Sequence, residues 1–104
     1  METRRDIFQA LADPTRRAII ALIALKAMTP GMIAEHFDSS RQAISKHIRV
    51  LSECELVTEL QEGREINYRL NTKKLKAASD YLDQFRHLWE GRFSRMEKIL
   101  KHKK

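Results

Sequence analysis

The chain contains no run of eighteen apolar residues, so no segment is long enough to cross the ~30 Å hydrocarbon core of a bilayer as a helix. Its longest apolar stretch, Ala18 to Leu25, reads instead as a buried helix. Met1 to Arg5 lead directly into an amphipathic segment with no apolar h-region, so no secretory signal is expected. The single cysteine, Cys54, excludes an internal disulfide and a cysteine-built metal cage within one chain, and fits a reducing cytoplasm. There is no phosphate loop and no nucleophile motif, no paired carboxylates share a helix face, and the four histidines are scattered. Enzymatic activity and a cofactor are therefore not expected. No linker, internal repeat or low-complexity segment appears, and 104 residues leave room for one core. The expectation is a soluble, cytoplasmic single domain spanning residues 1–104.

Basic residues outnumber acidic ones, 20 to 14, for a net charge of +6. Residues 1–70 hold ten of each and cancel, so the whole excess lies in residues 71–104, ten against four. Overall basicity is thus weak support for an anionic partner, and the local pattern has to carry that argument.

Ile7, Phe8, Leu11 and Ala12 recur at helical spacing and predict a first helix over Thr3 to Ala12. Asp13-Pro14-Thr15 breaks it and starts a second, with Asp13 as cap and Pro14 at the first helical position. That helix carries Ile19, Ile20, Leu22, Ile23 and Leu25 and is expected to be the central core helix. Thr29-Pro30 repeats the signal and opens a short third helix through Met32, Ile33, Ala34 and Phe37. Asp38-Ser39-Ser40 is a turn, and a fourth helix, about Ser40 to Ser52, places Ala43, Ile44, Ile48 and Leu51 on one face. After Cys54 the period becomes two. Leu56–Leu60 and Ile66–Leu70 predict two strands joined by Gln61–Glu65, with Gly63 at the tip. Asn71-Thr72 then caps a long last helix, in which Leu75, Ala78, Leu82, Phe85, Trp89, Met96 and Ile99 form a heptad seam. Arg92 occupies the one seam position that is not apolar; it must either find a carboxylate partner or reach solvent.

Two short helices about a tight polar turn, followed by a hairpin, are what major-groove reading of DNA requires: one helix crosses the backbone while the next lies in a groove ~12 Å wide. Carboxylates stop at Asp38 and resume at Glu53, and between them stand Arg41, Lys46 and Arg49. Ordinary solvated faces mix the two signs. Arginine and lysine can donate to guanine, Gln42 can pair with adenine, and Ser40 and Ser45 can bond bases or phosphates. Arg64 at the hairpin tip can reach a phosphate or the minor groove. No aromatic stacking platform is visible, which favours duplex DNA over RNA.

Leu11-Ala12-Asp13-Pro14-Thr15-Arg16-Arg17-Ala18-Ile19, then Ile33-Ala34-Glu35-His36-Phe37, then Ser40-Arg41-Gln42-Ala43-Ile44-Ser45-Lys46-His47-Ile48-Arg49-Val50-Leu51 resemble the ArsR (ArsR/SmtB) family of bacterial winged-helix repressors. The likeness covers nearly the whole chain. It implies a mainly α fold with a β-hairpin, a winged helix-turn-helix of order α-α-α-α-β-β-α. The helix-turn-helix covers about 29–53, the wing about 56–70 and a dimerisation helix about 72–100. It also implies a homodimer joined through the first and last helices, repressing transcription at a near-palindromic operator on the nucleoid, with His47 among the DNA-facing residues. Ser39 departs from the apolar residue that usually plugs the turn, which leaves the start of the fourth helix open by a residue or two.

Many members sense metals, yet the family's thiolate pair would fall near Thr29 and Gly31, neither of which can ligate a soft metal. A second family site, on the last helix, needs Asp-x-His facing His-x-x-His or His-x-x-Glu. His87-Leu88-Trp89-Glu90 supplies only the second half; Asp80-Tyr81-Leu82 and Asp83-Gln84-Phe85 both lack the histidine. No metal is expected, and the pattern is closer to the metal-independent, SdpR-like branch, with Trp89, Arg92 and Phe93 in the last helix. Phe8, Leu82, Phe85, Trp89 and Met96 are the expected dimer contacts, since a helix of about thirty residues is too long to bury against one small domain. Two alternatives stay open: a metal-responsive repressor, and a winged-helix protein-interaction module that does not bind DNA.

Overall fold

The computed structural model describes residues 6–102, apart from the side chains at 87, 89, 93–95, 97, 98 and 100–102. Its order is α1 (Ile7–Leu11), α2 (Pro14–Ile23), α3 (Pro30–Ala34), α4 (Arg41–Glu53), β1 (Val57–Glu62), β2 (Glu65–Leu70) and α5 (Thr72–His102). This is the expected mainly helical winged architecture. Every short helix opens on a polar cap in extended backbone: Asp6, Asp13, Thr29 and Ser40 accept from the amides of Phe8, Arg16, Met32 and Ala43. Each cap satisfies an amide that the helix itself leaves unpaired. For α1, the expected start at Thr3 falls outside the described residues.

The core gathers Ala10 of α1, Ile19, Ile20 and Ile23 of α2, Ile33 of α3, and Ile44, Ile48 and Leu51 of α4. Met28, Cys54, Leu56 and Val57 complete it. One expectation fails here. Leu25 does not belong to α2 or to the core: the helix ends at Ile23, and Leu25 is 82% exposed. Two residues past Ile23 point to the opposite side of a helix, and the chain must turn there so that Met28 can pair with β2. The third helix is also shorter than predicted. It stops at Ala34, and His36 and Phe37 continue in a tight turn, their amides reaching the carbonyls of Ile33 and Ala34.

The exit from α4 is a Schellman motif. The Glu55 amide bonds to the Ser52 carbonyl (3.0 Å) and the Leu56 amide to that of Leu51 (2.9 Å), while Glu55 takes the left-handed φ of 66° usually given to glycine. Leu51 and Leu56, the hydrophobic pair of this motif, are fully buried. Leu56 therefore closes the helix rather than opening the strand. The strands are longer than predicted and the loop shorter. Pairing runs from Val57↔Leu70 to Glu62↔Glu65, leaving only Gly63 and Arg64 at the tip. Gly63 has φ +64°, as two-residue hairpin turns demand.

Two further ties fix the wing. Met28 pairs with Tyr68 through both main-chain bonds (3.1 and 2.7 Å), adding one residue of a third strand beside β2. Asn71 holds the other end. Its amide bonds to the Leu56 carbonyl (2.8 Å), its side-chain nitrogen donates to the Glu55 carbonyl (2.9 Å), and its side-chain oxygen caps α5 at Lys74. α5 has 31 residues and is about 46 Å long; among its described side chains Ala78 alone is buried, with Lys74, Leu75 and Asp83 partly so. Most of its length leaves the core behind.

Ile19→Ala is expected to lower unfolding free energy by about 2–5 kcal/mol, and Leu25→Ala by less than about 0.5 kcal/mol. Urea denaturation followed by circular dichroism reads both, and equal losses at the two sites would contradict this core.

Candidate nucleic-acid interface

The inward stripe of α4 fixes which residues face out. With Ile44, Ile48 and Leu51 in the core, Arg41, Gln42, Ser45, Lys46 and Arg49 stand exposed around one shallow concavity of about 510 Å³. No carboxylate lines it. Ser40 sits at the head of this face as the cap, its Oγ accepting from the Ala43 amide at 3.1 Å, so α4 proper begins at Arg41 despite Ser39. The Arg41 guanidinium lies over the start of α3: a methyl group added at Gly31 would stand 3.6 Å from its Nη2. Arg64 is exposed at the hairpin tip, apart from this concavity.

His47 stands apart from this face. It turns from the exposed face toward the start of α2, where its Nδ1 lies 3.3 Å from Arg16 Nη1 and 3.9 Å from Asp13 Oδ2. A guanidinium only donates, so the imidazole accepts here with its proton on Nε2. Arg16 also donates to the carbonyls of Ala10 (2.7 Å) and Gln9 (3.3 Å), and Arg17 to those of Leu11 (2.9 Å) and Ala12 (3.0 Å). The Ala10, Leu11 and Ala12 carbonyls are among those a helix leaves unpaired at its end, whereas that of Gln9 also accepts from the Ala12 amide at 3.2 Å. The Asp13–Arg17 motif is therefore an elbow: Asp13 caps α2, two arginines cap α1, and His47 ties both to α4.

Sequence reasoning missed a second concavity, about 280 Å³, between α4 and the wing. Pro30, Ser45, Ile48, Arg49, Ser52, Glu59 and Tyr68 line it. Glu59 and Tyr68 are cross-strand partners, and the phenol donates to the Glu59 carboxylate over a long 3.4 Å. Burial, then that carboxylate, raises the Tyr68 pKa, which keeps the hydroxyl a donor. The alternation of the two strands was the available signal, since residues opposite one another share a face.

Between α1 and α5 lies an apolar groove of about 520 Å³ lined by Leu11, Leu75, Ala78, Leu82 and Phe85 among others. Leu82, Phe85 and Met96 are 53%, 40% and 56% exposed. Half-buried Phe8 contacts Tyr81 (ring centroids 5.5 Å apart), and Tyr81 meets Phe85 edge-on at 5.2 Å. The Trp89 side chain lies outside the described residues, and Arg92 is exposed. Cys54 is buried, its Sγ donating to the Leu51 carbonyl, and burial pushes the thiol pKa up, away from reactivity. Among the described residues no three His, Cys, Asp or Glu side chains converge as metal ligands. Thr29 and Gly31, at the family's thiolate positions, carry no soft-metal ligand.

A helix held by its apolar stripe, presenting a cationic, carboxylate-free face beside a two-stranded wing, defines a winged helix-turn-helix DNA-binding protein. A helix-turn-helix domain family matches residues 11–59. The chain is 39% identical to the transcriptional repressor SdpR of Bacillus subtilis, over 77% of its own length and 89% of that protein's. It is 38% identical to the HTH-type transcriptional regulator Rv2034 of Mycobacterium tuberculosis, over 75% and 73%. Among solved structures, an ArsR-like transcriptional regulator from Rhodococcus sp. RHA1 superposes with a TM-score of 0.72 at 32% identity, over 89% of this chain and 88% of that one. The chain belongs to the ArsR family of transcriptional regulators and is a DNA-binding repressor, not an enzyme.

Asp13 provides a test of the elbow. The Arg16 amide bond lowers its pKa from the usual 3.8, so the stabilisation is present above that value and is lost as the carboxylate protonates below it. Asp13→Ala should cost about 1 kcal/mol at neutral pH, Asp13→Asn less, and the gap between wild type and Asp13→Ala should close in thermal melts taken below pH 3.8. A gap independent of pH would exclude the carboxylate as the cap.

Proposed function

We propose that the protein represses transcription as a homodimer on a near-palindromic operator, without metal control. The observation that carries the reading is the face of α4 on which Arg41, Gln42, Ser45, Lys46 and Arg49 stand together with no carboxylate among them. Laid in a major groove, this face offers donors for guanine O6 and N7, an amide for adenine, and a hydroxyl for base or phosphate. Ser40 starts the helix and Arg64 extends the footprint to a phosphate or the minor groove beyond. His47 contributes by locking α4 to the elbow, through Arg16 and Asp13.

The second half-site calls for a second copy. Exposed Leu82, Phe85 and Met96, with Phe8 against Tyr81, form an apolar face that one chain does not cover. An isologous pair of such faces buries them and sets two recognition helices about one turn of DNA apart. Residues 29–53, 56–70 and 72–100 then act as reading head, wing and dimerisation helix, in the cytoplasm and on the nucleoid. Independence from metals is supported by Thr29 and Gly31 at the thiolate positions and by the missing histidine after Asp80 and Asp83.

Arg49→Ala should weaken binding to duplexes selected from random DNA at least tenfold, and wild-type affinity should fall steeply with salt, each phosphate contact adding about −0.9 to the log–log slope. Unchanged binding in Arg49→Ala, read by fluorescence anisotropy, would leave a protein-interaction module as the better account; a tenfold response of affinity to zinc would refute metal independence. Phe85→Asp should shift the sedimentation coefficient from dimer to monomer while the circular dichroism spectrum stays helical.

A further inference from the structure

The cleft between α4 and the wing is chemically two-sided. On the helix wall stand Ser45, Arg49 and Ser52, all able to donate to a phosphate; on the wing wall stands the exposed carboxylate of Glu59. One side chain of the wing orients it. Tyr68, whose phenol reaches it at 3.4 Å, is pinned through its main chain by both bonds to Met28, and borders the same cleft as Pro30 at the start of α3. Among the described residues no cation within salt-bridge distance of Glu59 neutralises it, although Arg49 lines the same cleft.

A carboxylate facing a wall of phosphate donors repels every duplex that enters. The penalty is offset only where the DNA brings a donor to it, and the base-edge donor best suited to a carboxylate is the exocyclic amino group of cytosine, since that of adenine stands beside the N7 acceptor. A cost imposed on all sequences and relieved for a few is a device for specificity. We propose that Glu59 is a specificity-determining residue of this repressor: it admits duplexes that place a cytosine amino group in the α4–wing cleft and disfavours the rest, with Tyr68 as its positioning residue. The inference rests on the reading of α4 as the DNA-binding helix and adds to it a residue from outside that helix.

The test compares full-length wild type, Glu59→Gln and Tyr68→Phe on two duplexes, one selected from random DNA by the wild-type protein and one of scrambled sequence. Both variants keep the backbone bonds to Met28, and their thermal midpoints should match wild type. Glu59→Gln should bind the scrambled duplex about fivefold more tightly, as expected for removing one like charge near a phosphate, without a matching gain on the selected one. Its selected-to-scrambled affinity ratio should fall threefold or more, with Tyr68→Phe moving in the same direction. A smaller fall in Glu59→Gln, with wild type still discriminating, overturns this inference alone. A wild-type ratio near one overturns the operator reading and this inference together.

Discussion

The structure depends on one packing arrangement, the burial of the Ile44–Ile48–Leu51 stripe of α4 in a cluster with Ile19 and Ile23 of α2 and Ile33 of α3. Fully burying each such side chain contributes about 1.5–3 kcal/mol. The same contacts fix the rotation of α4 about its axis. Once three positions at helical spacing are committed to the core, Arg41, Gln42, Ser45, Lys46 and Arg49 can only face solvent. Stability and function are thus two faces of a single helix, and a rotation of the stripe would lose both.

The remaining order comes from polar groups at helix ends. Four N-caps, the arginines at the end of α1, the left-handed Glu55 and the three bonds of Asn71 satisfy main-chain groups that short helices leave unpaired. Elements of five residues have little intrinsic stability, and α1 and α3 are both this short. Their persistence reflects these caps and the core beneath them. The wing is treated likewise: Met28 pairs with it on one side, and Asn71 ties the Glu55–Leu56 turn at its base to the start of α5.

Charge is distributed by place more than by total. The body of the chain is neutral in sum, yet its cations divide into two kinds. Arg16 and Arg17 are consumed in holding α1 to α2, whereas Arg41, Lys46 and Arg49 remain free to meet a polyanion. A motif rich in arginine is therefore not by itself a nucleic-acid contact; the acceptors around each guanidinium decide.

Much of this was legible in the residues. Cap-then-proline pairs marked α2 and α3, the gap in carboxylates marked α4, and the change of period marked the wing, because each reflects local stereochemistry or a face pattern carried by neighbouring positions. What was not legible shares one cause. Leu25 looked like core because it is apolar, but where α2 stops depends on Met28 reaching Tyr68, forty residues away in the chain. The neighbours of His47 were hidden for the same reason: its Nδ1 meets Arg16 and Asp13, which stand more than thirty residues earlier in the chain. Leu56 looked like the start of a strand, and the Schellman turn used it to close a helix. Glu59 drew no notice at all, since nothing in its own segment shows that it lies across a cleft from Arg49. Sequence alone determined which elements form and which face of each is apolar, since those are properties of spacing. Tertiary structure decided where elements end and what each polar group meets, since those depend on partners brought close only when the core closes.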